Sequence, residues 1–299
     1  MKWSIVADGK PRQALVLKKM VLTGKQTEYT GGNVVSRRSW GKRLIVAAMP
    51  WLGLTTQSQP VLAIQRDWLY FHYEQQPVAL PEVIASLKSL PTRLSEYYRQ
   101  ELTVKPVHVL VFPNRQSYLR HLDRTLPKAP RRTSLFVVRG GKPTILIVDG
   151  ERFQQDLVHE AVHAVNYATF GSGEFPLWLD EGVAEWFEDS ESRQEKIHGD
   201  LIRGIMGDQR QALAVPLKMS TLERITSTMR ADAMVYAASW AWCRFLGGHS
   251  TACHRVWLRY LSDIQSGIAP GKLSHRLSLA VPNYEELFLR SLSLKTASK

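Results

Sequence analysis

Hydrophobic and polar positions change period several times along this chain, and each change marks an element. Over residues 67–74 (DWLYFHYE) aromatics alternate with polar groups, the two-residue period of a strand. Pro81 then opens a helix reaching about residue 101, with Val83, Leu87, Leu90, Leu94 and Tyr98 as its apolar stripe and Pro91 as a point to kink or split it. Residues 106–112 (PVHVLVF) are apolar at nearly every position, which predicts a central strand, and His108 within it reads as a sheet histidine. A short helix is expected over 115–122 and a basic, proline-containing loop over 124–132. SLFVVRGGKPTILIVDG reads as a hairpin turning at Gly140-Gly141. The next run, 153–170, is apolar around much of its circumference, as a buried helix is, and Gly171 follows where a helix-ending glycine sits. PLWLDEGVAEWFE repeats Leu179, Val183, Ala184 and Phe187 at helical spacing after Pro176. Further helices are expected over 197–206, 221–226, 234–246, 252–265 and 284–292.

The buried helix carries the candidate chemistry. His159, Glu160 and His163 spell HExxH, and positions i and i+4 share a helix face, so the two imidazoles converge on one point. Glu160, beside the first histidine, can reach a water held there, the zinc-plus-general-base arrangement of metalloproteases. With 9 His in 299 residues, a chance HExxH turns up in roughly one such chain in a hundred, so context must support the motif. A catalytic zinc usually has three protein ligands and a water. A helix, a tight reversal and a second helix bring Glu181 back beside the histidines, with 17 residues between it and His163. Glu185, one turn on, is expected to accept the hydrogen bond of a histidine's non-ligating N–H. Asp180 competes as a ligand but points about 100° away from Glu181.

HEAVH followed by WLDEGVAEWFE resembles the gluzincin metallopeptidases and, more narrowly, is similar to the peptidase MA-like domain proteins of bacteria. The resemblance spans roughly residues 67–294 and is strongest over the two helices. It implies that His159, His163 and Glu181 bind Zn2+ and that Glu160 is the base. The gap of 17 is one shorter than in gluzincin aminopeptidases, and no G-x-M-E-N segment is present, so an aminopeptidase of that type is not implied. Such folds pair an extended substrate with an edge strand near the site, a role the resemblance passes to the hairpin whose second strand, 144–148, precedes the helix. They also often provide a Tyr or His to the oxyanion from the carboxy-terminal lobe; Tyr236 is the candidate here, with a packed core tyrosine as its alternative.

Composition bounds the setting. At 44% hydrophobic residues the chain can bury a large core. The net charge of +12 first suggests nucleic acid or an acidic membrane. Residues 1–63, however, hold 10 Lys+Arg against 2 Asp+Glu, while the remainder is nearly balanced at 29 against 25. With no basic-aromatic platform, no nucleic-acid partner is expected, and membrane contact only through an uncleaved leader. Within 1–63, SRRSWGK, LIVAAMPWLGL and TTQSQPVLA follow in export order, with Val61 and Ala63 at signal-peptidase positions and a twin-arginine-like spelling. Export to the periplasm or beyond is expected, with a start at Met20 or near Val35, or else a disordered extension over the 35 upstream residues; a buried amphipathic helix in a cytoplasmic protein is the alternative. Cys243 and Cys253 flank Gly247-Gly248 and are expected as two free thiols, a disulfide formed by helices folding back being the alternative.

The expectation is therefore an export leader over 1–63 and one α+β, zincin-like domain over 64–299. A small mixed or antiparallel sheet packs on the HExxH helix, with a helical lobe behind. The expected activity is zinc-dependent hydrolysis of peptide or protein substrates. A catalytically silent zincin-like binding protein and a zinc amide hydrolase with a non-protein substrate are the alternatives.

Overall fold

The computed structural model describes residues 4–6, 62–171, 175–207, 214–226 and 232–293. It is an α+β fold. The strands are β1 (Ser4–Val6), β2 (Leu62–Arg66), β3 (Leu69–Tyr73), β4 (Val107–Phe112), β5 (Ser134–Arg139) and β6 (Lys142–Val148). The helices are α1 (Leu80–Tyr98), α2 (Arg115–Thr125), α3 (Phe153–Phe170), α4 (Leu177–Glu188), α5 (Glu191–Gln194), α6 (Asp200–Met206), α7 (Met219–Leu222), α8 (Ala233–Gly248), α9 (Thr251–Gln265), α10 (Leu273–Ala280) and α11 (Tyr284–Ser293). A π-helical turn, Glu195–Gly199, joins α5 to α6, and a 3-10 turn, Val215–Leu217, precedes α7. No helix among the described residues is long and apolar enough to cross a membrane.

The strands form one small mixed sheet in the order β1-β5-β6-β4-β3-β2. β3, β4 and β6 run parallel, β2 and β5 are antiparallel to their sequence neighbours, and β1 lies parallel to β5. The alternation read in residues 67–74 is real: Leu69, Phe71 and Tyr73 point inward. β5 and β6 are buried on both faces because the sheet is sandwiched there. One face, with Phe136, Ile145 and Ile147, packs on α1 and α3, while Leu135, Val137 and Leu146 meet Tyr118 and Leu122 of α2 on the other. α1 runs through Pro91 as one element, its Leu87, Leu90 and Leu94 locked in the core.

Behind α3, α4 packs against α8 at unusually close range. A Cβ added at Gly182 would lie 2.5 Å from the Ser239 carbonyl oxygen and 2.6 Å from Cys243 Sγ. Only glycine permits that approach. Cys243 and Cys253 are both free thiols, the favoured of the two readings of the sequence, and Cys243 Sγ faces the Leu179 carbonyl of α4 at 3.9 Å.

Three further expectations change. β6 lies between β5 and β4, so 144–148 is an interior strand; the hairpin's outer edge is β5, and Phe136–Val138 there are paired with β1. β2 begins at Leu62, so cleavage after Ala63 would cut a strand paired to β3, while the leader motifs over 36–61 fall outside the described residues. α10 has no counterpart in the sequence reading because Pro270 and Gly271 before it, together with its mixed polarity, read as loop.

Candidate metal centre

α3 is enclosed by the sheet, α1 and α4, so side chains on every face of it are buried. His159 and His163 stand one turn apart on the α4 side, their ring centroids 4.8 Å apart. Glu181 reaches between them from α4: its Oε2 lies 3.4 Å from His159 Nε2 and 3.6 Å from His163 Nε2. Donors about 2.0–2.1 Å from a tetrahedral ion are separated by about 3.4 Å, so this spacing suits a single zinc-sized cation. His159, His163 and Glu181 are no more than 1 % exposed, and neither carboxylate oxygen of Glu181 has a hydrogen-bond partner. A buried carboxylate left so is costly unless protonated or bound to a cation.

The protonation tendencies agree. Burial pushes the Glu181 carboxyl well above the usual range; His163 partly offsets this, while Asp180 and Glu160 add to it. Burial would lower the His163 imidazole, but Asp180 and Glu181 outweigh it and push the group to about 10. Without a metal the cluster holds protons, which a divalent cation would displace.

Each imidazole is oriented from behind by a carboxylate. His159 Nδ1 lies 2.8 Å from Glu188 Oε2, and Glu188 in turn accepts from Arg152 Nη2 at 3.0 Å. His163 Nδ1 is 2.9 Å from Asp180 Oδ2; Asp180 also accepts from Asn166, which accepts from the Tyr98 hydroxyl. Glu185 therefore does not have the role expected of it. It is 3.8 Å from His159 Nδ1, and its other oxygen pairs with His198 Nε2 at 3.0 Å. Glu188 displaces it because residues 181, 185 and 188 form one stripe of α4, and the residue seven positions on lies level with the far side of the imidazole ring. Asp180, a quarter-turn from Glu181, lies against the Nδ1 of the second histidine, on the side of the ring away from Glu181. The acidic spacing D-E-x-x-x-E-x-x-E contained both partners. His198 left no signal, because it is delivered by the π-helical turn. Glu185, Glu188 and His159 could also approach a metal as a set, but His198 and Arg152 already engage the two carboxylates.

Glu160 is fully buried on the sheet side of α3. Its Oε1 accepts from Ser134 Oγ and its Oε2 from the Phe136 backbone N–H, both at 2.8 Å. These bonds tie the carboxylate to β5. Tyr236 lies in the first turn of α8, whose N-cap Asp232 accepts from Val235 N. Its phenol accepts from Arg132 Nη1 at 3.3 Å, and burial, then the Glu181 charge, hold its pKa up. Tyr236 thus joins the helical lobe to Arg132, beside Leu177 at the start of α4. No protein-family model matches this chain, and no curated protein matches it.

Proposed function

We propose that the protein is a zinc-dependent hydrolase of peptide bonds, with a zincin-like arrangement of its α+β fold. The observation that carries this reading is the convergence of His159 Nε2, His163 Nε2 and the Glu181 carboxylate at tetrahedral spacing, one residue from Glu160. Two imidazoles and a carboxylate are a usual donor set for catalytic zinc. Zinc bound there supplies a Lewis acid and makes a water acidic near neutral pH. Glu160 takes the water's proton at a carboxylate oxygen and passes it to the leaving amine. Ser134 and the Phe136 amide hold that carboxylate in place. The Tyr236 hydroxyl, which accepts from Arg132, is the candidate donor to the developing oxyanion. Asp180 and Glu188 hold the two imidazoles with Nε2 toward the ion.

The same hydrogen bonds on Glu160 favour a second reading, a silent binding protein in which the carboxylate serves as a strut between α3 and β5. Metal content by mass spectrometry and hydrolysis of a mixed peptide pool, for wild type, E181A and E160Q, separate the two. About one zinc per chain is expected in wild type, a large loss in E181A, and retained zinc without hydrolysis in E160Q. Full zinc in E181A defeats the ligand assignment, and hydrolysis by E160Q removes that residue as the base.

A further inference from the structure

Within residues 64–299 the net positive charge is concentrated in one stretch. Residues 115–132 hold six basic groups (Arg115, Arg120, Arg124, Lys128, Arg131 and Arg132) and one acid, Asp123. All the rest of residues 64–299 hold 23 Lys+Arg against 24 Asp+Glu. This basic stretch is α2 and the loop leading into β5, and it ends at the candidate site. Arg132 donates to the Tyr236 hydroxyl, Thr133 to Asp156 behind His159's partner network, and Ser134 to Glu160.

The loop is held in shape, so its cations have a fixed arrangement. Leu126 N donates to Leu122 O, Ala129 N to Leu126 O, and Arg132 N to Pro130 O. Arg115 Nη2 closes the ring by donating to the Arg131 carbonyl at 2.9 Å. Arg131 pairs with Asp123, which neutralises one charge and leaves the patch strongly positive. The Tyr118 hydroxyl adds a second observation. Tyr118 is fully buried and its oxygen has no hydrogen-bond partner. Its ring packs between α2 and the sheet, with Leu122, Leu135, Val137 and Leu146; burial raises its pKa most, Glu160 adds to the rise, and Arg115, Arg132 and Arg131 oppose it.

We propose that this rim reads the substrate, and that the cleft selects peptides bearing carboxylate side chains on the side of the scissile bond that lies against residues 115–132. The inference rests on the hydrolase reading above for the word substrate. Its physical basis is long-range attraction of an acidic segment toward clustered guanidinium groups, which pair with carboxylates bidentately. An acidic peptide is favoured over a nucleic acid because no aromatic platform accompanies the arginines, and the sheet and helical lobe beside the rim carry no further net positive charge.

The test uses full-length E160Q, which keeps the site but does not consume the ligand, and three fluorescent peptides alike except for Glu, Gln or Lys at the flanking positions. The Glu peptide is expected to bind about tenfold tighter than the Gln peptide at low salt, with the difference shrinking as salt is added. R115Q/R131Q, and separately K128E on the exposed loop, are expected to reduce that ratio to within about threefold. Equal binding of the Glu and Gln peptides, or tighter binding of the Lys peptide, overturns the proposal. A single-stranded DNA oligonucleotide that outcompetes the Glu peptide overturns it as well, because the rim is then a general polyanion face. Wild-type zinc content and hydrolysis, measured alongside, keep the two claims apart. Hydrolysis without charge preference sinks the rim alone; charge-selective binding by a protein lacking zinc and hydrolysis sinks the enzyme reading alone.

Discussion

His159 shows how many constraints one side chain satisfies here. Its Nε2 faces Glu181 while its Nδ1 rests on Glu188, so tautomer and ring orientation are set from the side away from Glu181. E188Q is therefore expected to weaken zinc affinity by about 10–100-fold, against a smaller loss for E185Q, when both are titrated with a zinc-chelating dye as competitor. A loss in E185Q equal to that in E188Q would return the role to Glu185. Gly182 acts at the same scale by having no side chain. In G182A the added methyl meets the Ser239 backbone at 2.5 Å, and α4 must move. A destabilisation of about 1–3 kcal/mol is expected in urea denaturation, together with weaker zinc binding because Glu181 is the preceding residue. Unchanged stability would mean that α8 yields without cost.

Elements place these residues where their own sequence cannot. α3 supplies the histidines, α4 all four carboxylates around them, β5 the grip on Glu160, and α8 the tyrosine. The start of α8 depends on the Asp232 cap, so D232A is expected to cost about 1 kcal/mol in thermal or urea unfolding. Because the first turn of α8 carries Tyr236, it is also expected to lower kcat more than it raises KM. β1 is a different kind of element. It pairs with Phe136–Val138, the one stretch of sheet edge next to Glu160. An added peptide strand needs the same backbone groups. Deleting residues 1–6 is accordingly expected to raise peptide hydrolysis while leaving zinc content unchanged; reduced hydrolysis would show that β1 supports the site and does not cover it.

For the whole molecule, proton and metal binding are linked to stability with opposite signs on the two sides of neutrality. Burial, and then His108, lower His72 from 6.5 to about 4; burial, and then Arg139 and Arg124, lower His121 likewise. Groups lowered in the fold take up protons more readily when unfolded, so their contribution is complete above pH 6.5 and is lost as pH falls toward 4. His163 is raised to about 10, so its contribution is complete below 6.5 and is lost as pH climbs toward 10. With chelator present, the melting temperature is expected to peak near pH 6.5 and decline on both sides. Zinc should remove the alkaline decline, since the ion replaces the proton, and raise the melting temperature in proportion to the logarithm of its concentration. An alkaline decline that persists with zinc would place His163 outside the centre.

Period and spacing alone determined most elements of this protein and the meeting of its central residues. A helix of 3.6 residues per turn puts His159 and His163 on one face wherever the helix lies, and a short reversal leaves α4 little choice but to return alongside. Other features depend on relations between distant segments, and only the tertiary structure decided them. The close approach of α4 to α8 at Gly182 and Ser239, 57 positions apart, and the choice of Glu188 and Asp180 over Glu185 as partners of the imidazoles, are settled between segments. The free state of Cys243 and Cys253, the interior place of β6 and the pairing of β1 with β5 likewise follow from packing between segments far apart in the chain. Local periodicity is a property of the backbone and survives without context, whereas hydrogen-bond partners are settled by which surfaces can approach within about 3 Å.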